Sequence, residues 1–337
     1  METKEKFEHS KGIMLSYGGR EIFSQWITAA FGFTVFFYYE SVIGLDVRLA
    51  AAAYIVYQIW NSINDPLTGF LMERVVFPWE KKSGFRRLPV IIVGGVLWLA
   101  AYLGIFFGPI YADPEADRWL IFAWYVVSLC LYDTFGTLFD VNAVSLYPDK
   151  FKGLNERRLV QMMGTILGII GLVLAAIIPP MFITTGEPLT YRTSALVTFG
   201  VGFLFLVLMI PGIYETKKVR EAYRLQREGL LRKEKQPGFF ATAKRVFSNK
   251  RFVGKVILFF GYQVGVVMLQ TSALYIITYL LDEPASTLSL LLGSMLGGAL
   301  ISVPAGRAFS PRRTTNRGVG RVGGGFLFWA LFPLFLS

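Results

Sequence analysis

Long apolar blocks alternate with short polar ones along almost the whole chain. Eight blocks of about 20 or more residues, the length that crosses a ~30 Å hydrocarbon core, lie near 14–38, 47–72, 88–111, 119–147, 159–183, 194–214, 252–281 and 286–306. A ninth starts near Val322 and holds only 16 residues by Ser337, so a truncated last span is expected. No ten-residue alternation of the kind that builds a membrane barrel is present. Helices satisfy their own backbone in lipid, so the pattern predicts an all-α polytopic membrane protein.

Composition agrees with that pattern. Of 337 residues, 54% are hydrophobic and only 17% charged, against about 25% charged in a soluble domain. The net charge of +11 would suggest nucleic acid in a soluble protein, but its distribution points elsewhere. Residues 1–13, 73–88, 149–158, 215–251 and 307–321 carry 29 of the 34 Lys and Arg. The alternate loops carry only Arg48, Arg118 and Arg192 against eight acids. This positive-inside bias predicts a multi-pass cell-membrane protein with a cytoplasmic N-terminus. Anionic membrane lipid, rather than nucleic acid, is the expected partner of the basic loops.

The layout predicts four parts: a cytoplasmic N-terminus (1–13), a six-helix bundle (14–214), a charged cytoplasmic linker (215–251) and an incomplete C-terminal bundle (252–337) with two full spans and part of a third. Six spans, a linker and further spans follow the major facilitator plan, in which a solute sits between two halves. The one cysteine, Cys130, lies in an apolar run and is expected to be a packing residue.

Four acids fall inside predicted spans: Glu21, Asp65, Asp133 and Asp140. An acid at the centre of a span costs about 2.5–3.5 kcal/mol even on lenient insertion scales, so each is expected to have a polar use. Asn61, Asn64 and Asp65 stand at i, i+3 and i+4 and share one helix face; Asp133, Thr137 and Asp140 stand at i, i+4 and i+7 and share another. Their oxygens suit a small hard cation, and paired carboxylates can instead share a proton. Sodium and proton coupling are both open on this chemistry. Helix-to-helix hydrogen bonding is the bland alternative for the same residues, and Glu21 beside Arg20 has the plainer role of a snorkelling pair.

Four segments, LSYGGREIFSQ (15–25), WNSINDPLTGFLMER (60–74), GFRRLP (84–89) and DVNAVSLYPDKFKGLNERR (140–158), resemble in order the glycoside–pentoside–hexuronide:cation symporter family, the melibiose-carrier branch of the major facilitator superfamily. The resemblance covers about 14–215 well and 239–306 by helix pattern. It implies a cation site at Asn61, Asn64, Asp65 and Thr137, with Asn61 standing where the family usually has Asp. Asp140 matches the family's sugar-binding carboxylate. Gln25, Val144 and Gly164 depart from the family's other sugar contacts, which argues against melibiose and leaves a roomier, more apolar pocket.

The expectation is a secondary active transporter, not an enzyme, that couples Na+ or H+ to a small organic solute, whether a sugar, a glycoside or a lipid-like molecule. No cofactor is expected beyond the coupling ion. Gln25, Asp140 and Asp133 are the expected solute contacts. Glu73, Arg74, Arg86, Arg87, Asp149, Glu156, Arg157 and Arg158 are the expected cytoplasmic gate, pairing when the inner face closes. Two rivals stay open: a non-transporting remnant, and a membrane-embedded enzyme using Asp133 and Asp140 as acid and base.

Overall fold

A computed structural model describes residues 7–75, 77–109, 112–184, 186–232, 247–284 and 287. The predicted spans beyond residue 285 therefore lie outside the described residues. All regular structure among the described residues is helical. The helices are α1 (Lys11–Phe37), α2 (Val47–Arg74), α3 (Pro78–Ser83), α4 (Leu88–Phe106), α5 (Arg118–Lys150), α6 (Leu154–Ile177), α7 (Pro188–Leu208), α8 (Ile210–Ile213), α9 (Lys217–Arg232) and α10 (Lys250–Tyr275).

Local chemistry sets several of their ends. Ser10 Oγ accepts from the Ile13 N–H at 3.3 Å and Asp46 Oδ1 from the Arg48 N–H at 2.8 Å, capping α1 and α2. Gly84, at φ +74°, closes α3 in the left-handed conformation that glycine adopts without strain. Arg192 donates to the Phe106 and Gly108 carbonyls at 3.0 Å, placing a cation at the C-terminus of α4.

Among the described residues, five helical segments are long and apolar enough to cross a membrane: Leu88–Phe106, Arg118–Lys150, Leu154–Phe182, Pro188–Leu208 and Phe252–Leu280. The first two apolar blocks form helices α1 and α2 of 27 and 28 residues, with polar residues along them. Large apolar side chains line the outer surface, among them Trp119, Leu120, Val127 and Leu131 on α5. Outward-facing apolar stripes of this kind suit hydrocarbon, not water.

Helix pairing positions the polar faces. α1 packs along α6, α4 and α2 both pack on α5, and α7 packs on α4. At Gly171 a Cβ would stand 2.5 Å from the Ile22 carbonyl oxygen, so only glycine lets α6 lie this close to α1. An aromatic core fills the bundle, with Tyr39 stacked on Tyr125 at 3.8 Å and Phe31 on Tyr132 at 4.3 Å. The α2–α5 contact brings together the two acidic faces expected from the sequence. Beyond the bundle, Tyr275 of α10 donates to Glu40 Oε2 at 2.7 Å.

Candidate functional site

The carboxamide face of α2 meets the acidic face of α5 in a continuous hydrogen-bond cluster. Asn61 Nδ2 donates to Asp133 Oδ1 at 2.5 Å, and Asn64 Nδ2 donates to Asp133 Oδ2 at 2.9 Å. The same Asn64 amide reaches Thr137 Oγ1 at 3.1 Å, and Thr137 donates to Asp65 Oδ1 at 2.6 Å. Thr68 donates to Asn64 Oδ1 at 3.1 Å. Asn64, Asp133 and Thr137 are buried, while Asp65 is exposed.

Four of these groups, Asn61, Asp65, Asp133 and Thr137, help to line a cavity of about 290 Å³. Asp65, Asn61, Asp133, Thr137 and Asp140 supply its polar side; Phe31, Tyr57, Trp98 and Tyr132 supply an aromatic side. Gly136 is also in the lining, and a Cβ there would stand 2.8 Å from the Trp98 ring, so the absence of a side chain lets the indole pack close against α5. Chemically, the cavity offers carboxylate, carboxamide and hydroxyl oxygens beside aromatic faces. Asp133 is held there by two asparagines of α2, and Asp140 by Ser24 of α1.

Residues at the α1 contact were only partly anticipated. Ser24 Oγ donates to Asp140 Oδ1 at 2.9 Å, and Arg20 Nη1 approaches the same oxygen at 3.7 Å. Arg20 also pairs with its neighbour Glu21, so it bridges Glu21 and Asp140 instead of only snorkelling. Gln25 stands elsewhere: its side chain lies beside Gly168 of α6 and does not join the cavity lining. One residue along an α-helix is a rotation of about 100°, which turns Ser24, not Gln25, toward α5. Val144 and Gly164 line a separate small cavity of about 80 Å³ with Arg20 and Glu21.

At the basic end of the bundle, Arg87 is the hub. It donates to Glu73 Oε1 at 3.1 Å and to the Tyr223 hydroxyl at 3.1 Å, and stands 3.8 Å from Asp149. Tyr223 of α9 in turn donates to Asp149 Oδ2 at 2.7 Å. Arg86 donates to the Met72 and Glu73 carbonyls at 3.1 Å, which ties it to the end of α2. Glu215, fully buried, accepts the backbone N–H groups of Arg86, Arg87 and Leu88 at 2.6–3.0 Å and so caps α4. Burial nonetheless pushes its carboxyl above the ordinary range, against the pull of those three N–H donors.

The other expected gate residues are not part of that hub. Glu156 accepts from the His9 backbone at 2.9 Å and lies 3.0 Å from His9 Nδ1. Arg157 donates to the Phe151 and Pro148 carbonyls at the end of α5, at 2.5 and 3.1 Å. Arg74 lies over the Phe70 ring at 4.0 Å, and Arg158 is exposed. Tyr223 and Glu215 also join the basic end, and no local sequence pattern around them marks the contact.

Comparison with known proteins adds the family. The MFS/sugar transport protein family matches residues 16–336. The chain is 23% identical to "Sodium-dependent lysophosphatidylcholine symporter 1" of Gallus gallus over 342 residues, which is 92% of this chain and 61% of that protein. It is 27% identical over 218 residues to an "Uncharacterized symporter" of Synechocystis, covering 64% of this chain and 37% of that one. With the mouse "Sodium-dependent lysophosphatidylcholine symporter 1" it shares 24% over 310 residues, 84% of this chain and 56% of the mouse protein. The chain thus spans less than two thirds of the length of these relatives. It belongs to the MFS/sugar transport protein family and is an all-α polytopic membrane protein.

Proposed function

We propose that this member of the MFS/sugar transport protein family works as a cation-coupled symporter, with its coupling ion held between α2 and α5. The observation that carries the reading is the cluster of Asn61, Asn64, Asp65, Asp133 and Thr137, which opens onto a cavity shared with Asp140. A cation bound there offsets carboxylate charge that is otherwise expensive in a membrane, and so favours the conformation able to take up solute. Asp140, held by Ser24, is the solute-facing acid in this reading. Sodium is preferred to the proton as coupling ion, because relatives named as sodium-dependent symporters match most of the chain.

The solute is a small organic molecule with a polar group for Asp140 and an apolar part for the aromatic wall. A lipid-like solute is the second reading, and the Phe31, Tyr57, Trp98 and Tyr132 wall together with those relatives favours it over a bare sugar. The basic end faces the cytoplasm in this scheme, by the positive-inside bias. There the Arg87, Glu73, Asp149 and Tyr223 contacts hold the N-terminal bundle and the linker helix together, and the second half begins with α10 near residue 252.

Melting of the detergent-purified chain in sodium chloride and choline chloride, at equal ionic strength and over a pH series, tests the proposal. Sodium at 100 times its Kd stabilises a folded state that alone binds it by about 2.7 kcal/mol. A sodium-specific upward shift that vanishes in Asp65→Asn is expected. A shift that follows pH but not sodium, and is lost in Asp65→Asn, reassigns the coupling ion to the proton. Identical melting in both salts at every pH contradicts the proposal.

A further inference from the structure

Within that reading, we infer that Asp133 is a positioning residue of the cation site and supplies its second negative charge, rather than contacting solute. An ionised carboxylate only accepts hydrogen bonds, so both carboxamides facing it must present their NH2 ends. The distances fit: Asn61 Nδ2 lies 2.5 Å from one Asp133 oxygen and Asn64 Nδ2 lies 2.9 Å from the other. With their nitrogens fixed on Asp133, the two amide oxygens are turned away from it. The Asn64 oxygen accepts from Thr68 at 3.1 Å and keeps a lone pair free. The second hydrogen of the Asn64 amide goes to Thr137, whose hydroxyl proton is given to Asp65 at 2.6 Å. Both Asn64 amide hydrogens and the Thr137 hydroxyl proton are therefore committed, and the remaining lone pairs on Asp65, Thr137 and the asparagines are those a hard cation needs.

Position in the cavity wall supports the same role. Both acids line the cavity, but Asp133 is only 5% exposed with both its oxygens engaged, whereas Asp65 is exposed. The α2 face carries one carboxylate and two neutral amides, so α5 contributes the other charge from across the interface. Outer-shell carboxylates that orient ligands of a bound ion typically account for 10–100-fold in affinity.

The experiment measures the sodium concentration giving half the maximal melting shift in four variants and wild type. Asp133→Asn keeps shape and removes the charge; it is expected to raise that concentration at least about tenfold. Asn61→Ala reaches the same contact from α2 and is expected to raise it as well. In Asn61→Asp/Asp133→Asn the carboxylate crosses to α2 and the hydrogen bond reverses its direction; recovery to within about threefold of wild type is expected. Asp65→Asn serves to locate the site itself. A wild-type response lost in Asp65→Asn but unchanged in Asp133→Asn overturns this inference alone. Failure of the double variant to recover overturns the charge assignment. No sodium response in wild type overturns both this inference and the function on which it rests.

Discussion

Replacing Arg87 by alanine removes the hub that joins α2, α4, α5 and the linker helix. Its guanidinium is 5% exposed and bonds Glu73 and Tyr223 at 3.1 Å, with Asp149 at 3.8 Å. Truncating one partner of a buried ion pair costs about 3–5 kcal/mol, but Glu73 is 52% exposed, so its contact is largely screened. The bond to Tyr223 and the approach to Asp149 remain, and a loss of roughly 2–3 kcal/mol follows. For a bundle of this size that lowers the melting temperature by about 5–10 °C. The assay is thermal unfolding of the purified chain by tryptophan fluorescence. Arg87→Lys keeps the charge but not the fork and is expected to fall between wild type and alanine. Arg158→Ala, at an exposed position of the same end, is expected to melt within about 1 °C of wild type. If Arg87→Ala melts no lower than Arg158→Ala, the hub does not hold the basic end together and the reasoning fails.

Further predictions follow from single contacts. Gly171→Val pushes a side chain into the Ile22 carbonyl, and size-exclusion profiles are expected to show loss of the monodisperse peak. Glu215→Ala leaves three N–H groups at the start of α4 without their acceptor and is expected to cost about 1–3 kcal/mol, read as a lower melting temperature. Ser24→Ala removes the donor to Asp140 and is expected to leave the sodium-dependent melting shift intact while weakening solute-induced stabilisation, once a solute is found by screening.

Among the described residues the long helices were legible because apolar run length marks a membrane helix. Shared faces were legible too, since i, i+3 and i+4 spacing fixes which side chains stand together on one helix. What the sequence withheld was rotation between helices. Asn61, Asn64 and Asp133 are 69 and 72 positions apart along the chain, and nothing local says that α2 turns its amides onto that acid. The same limit applies to Gln25: the resemblance set it among the solute contacts, and helix rotation places Ser24, not Gln25, against Asp140. At the basic end, eight charged residues were readable as one loop-to-loop gate. The structure divides them: Arg87 with Glu73 and Asp149, Arg86 on the end of α2, Glu156 with His9, and Arg157 on the end of α5. Tyr223, the residue that joins the linker helix to the hub, carries no charge and so gave no signal.

The account stands or falls on an ion bound between α2 and α5. Equilibrium binding of radioactive sodium to the purified chain, for wild type and Asp65→Asn, measures that ion directly. The account predicts saturable binding of about one sodium per chain, displaced by unlabelled sodium and absent in Asp65→Asn. Saturable binding that survives Asp65→Asn, or no saturable binding in wild type at any pH, would contradict it.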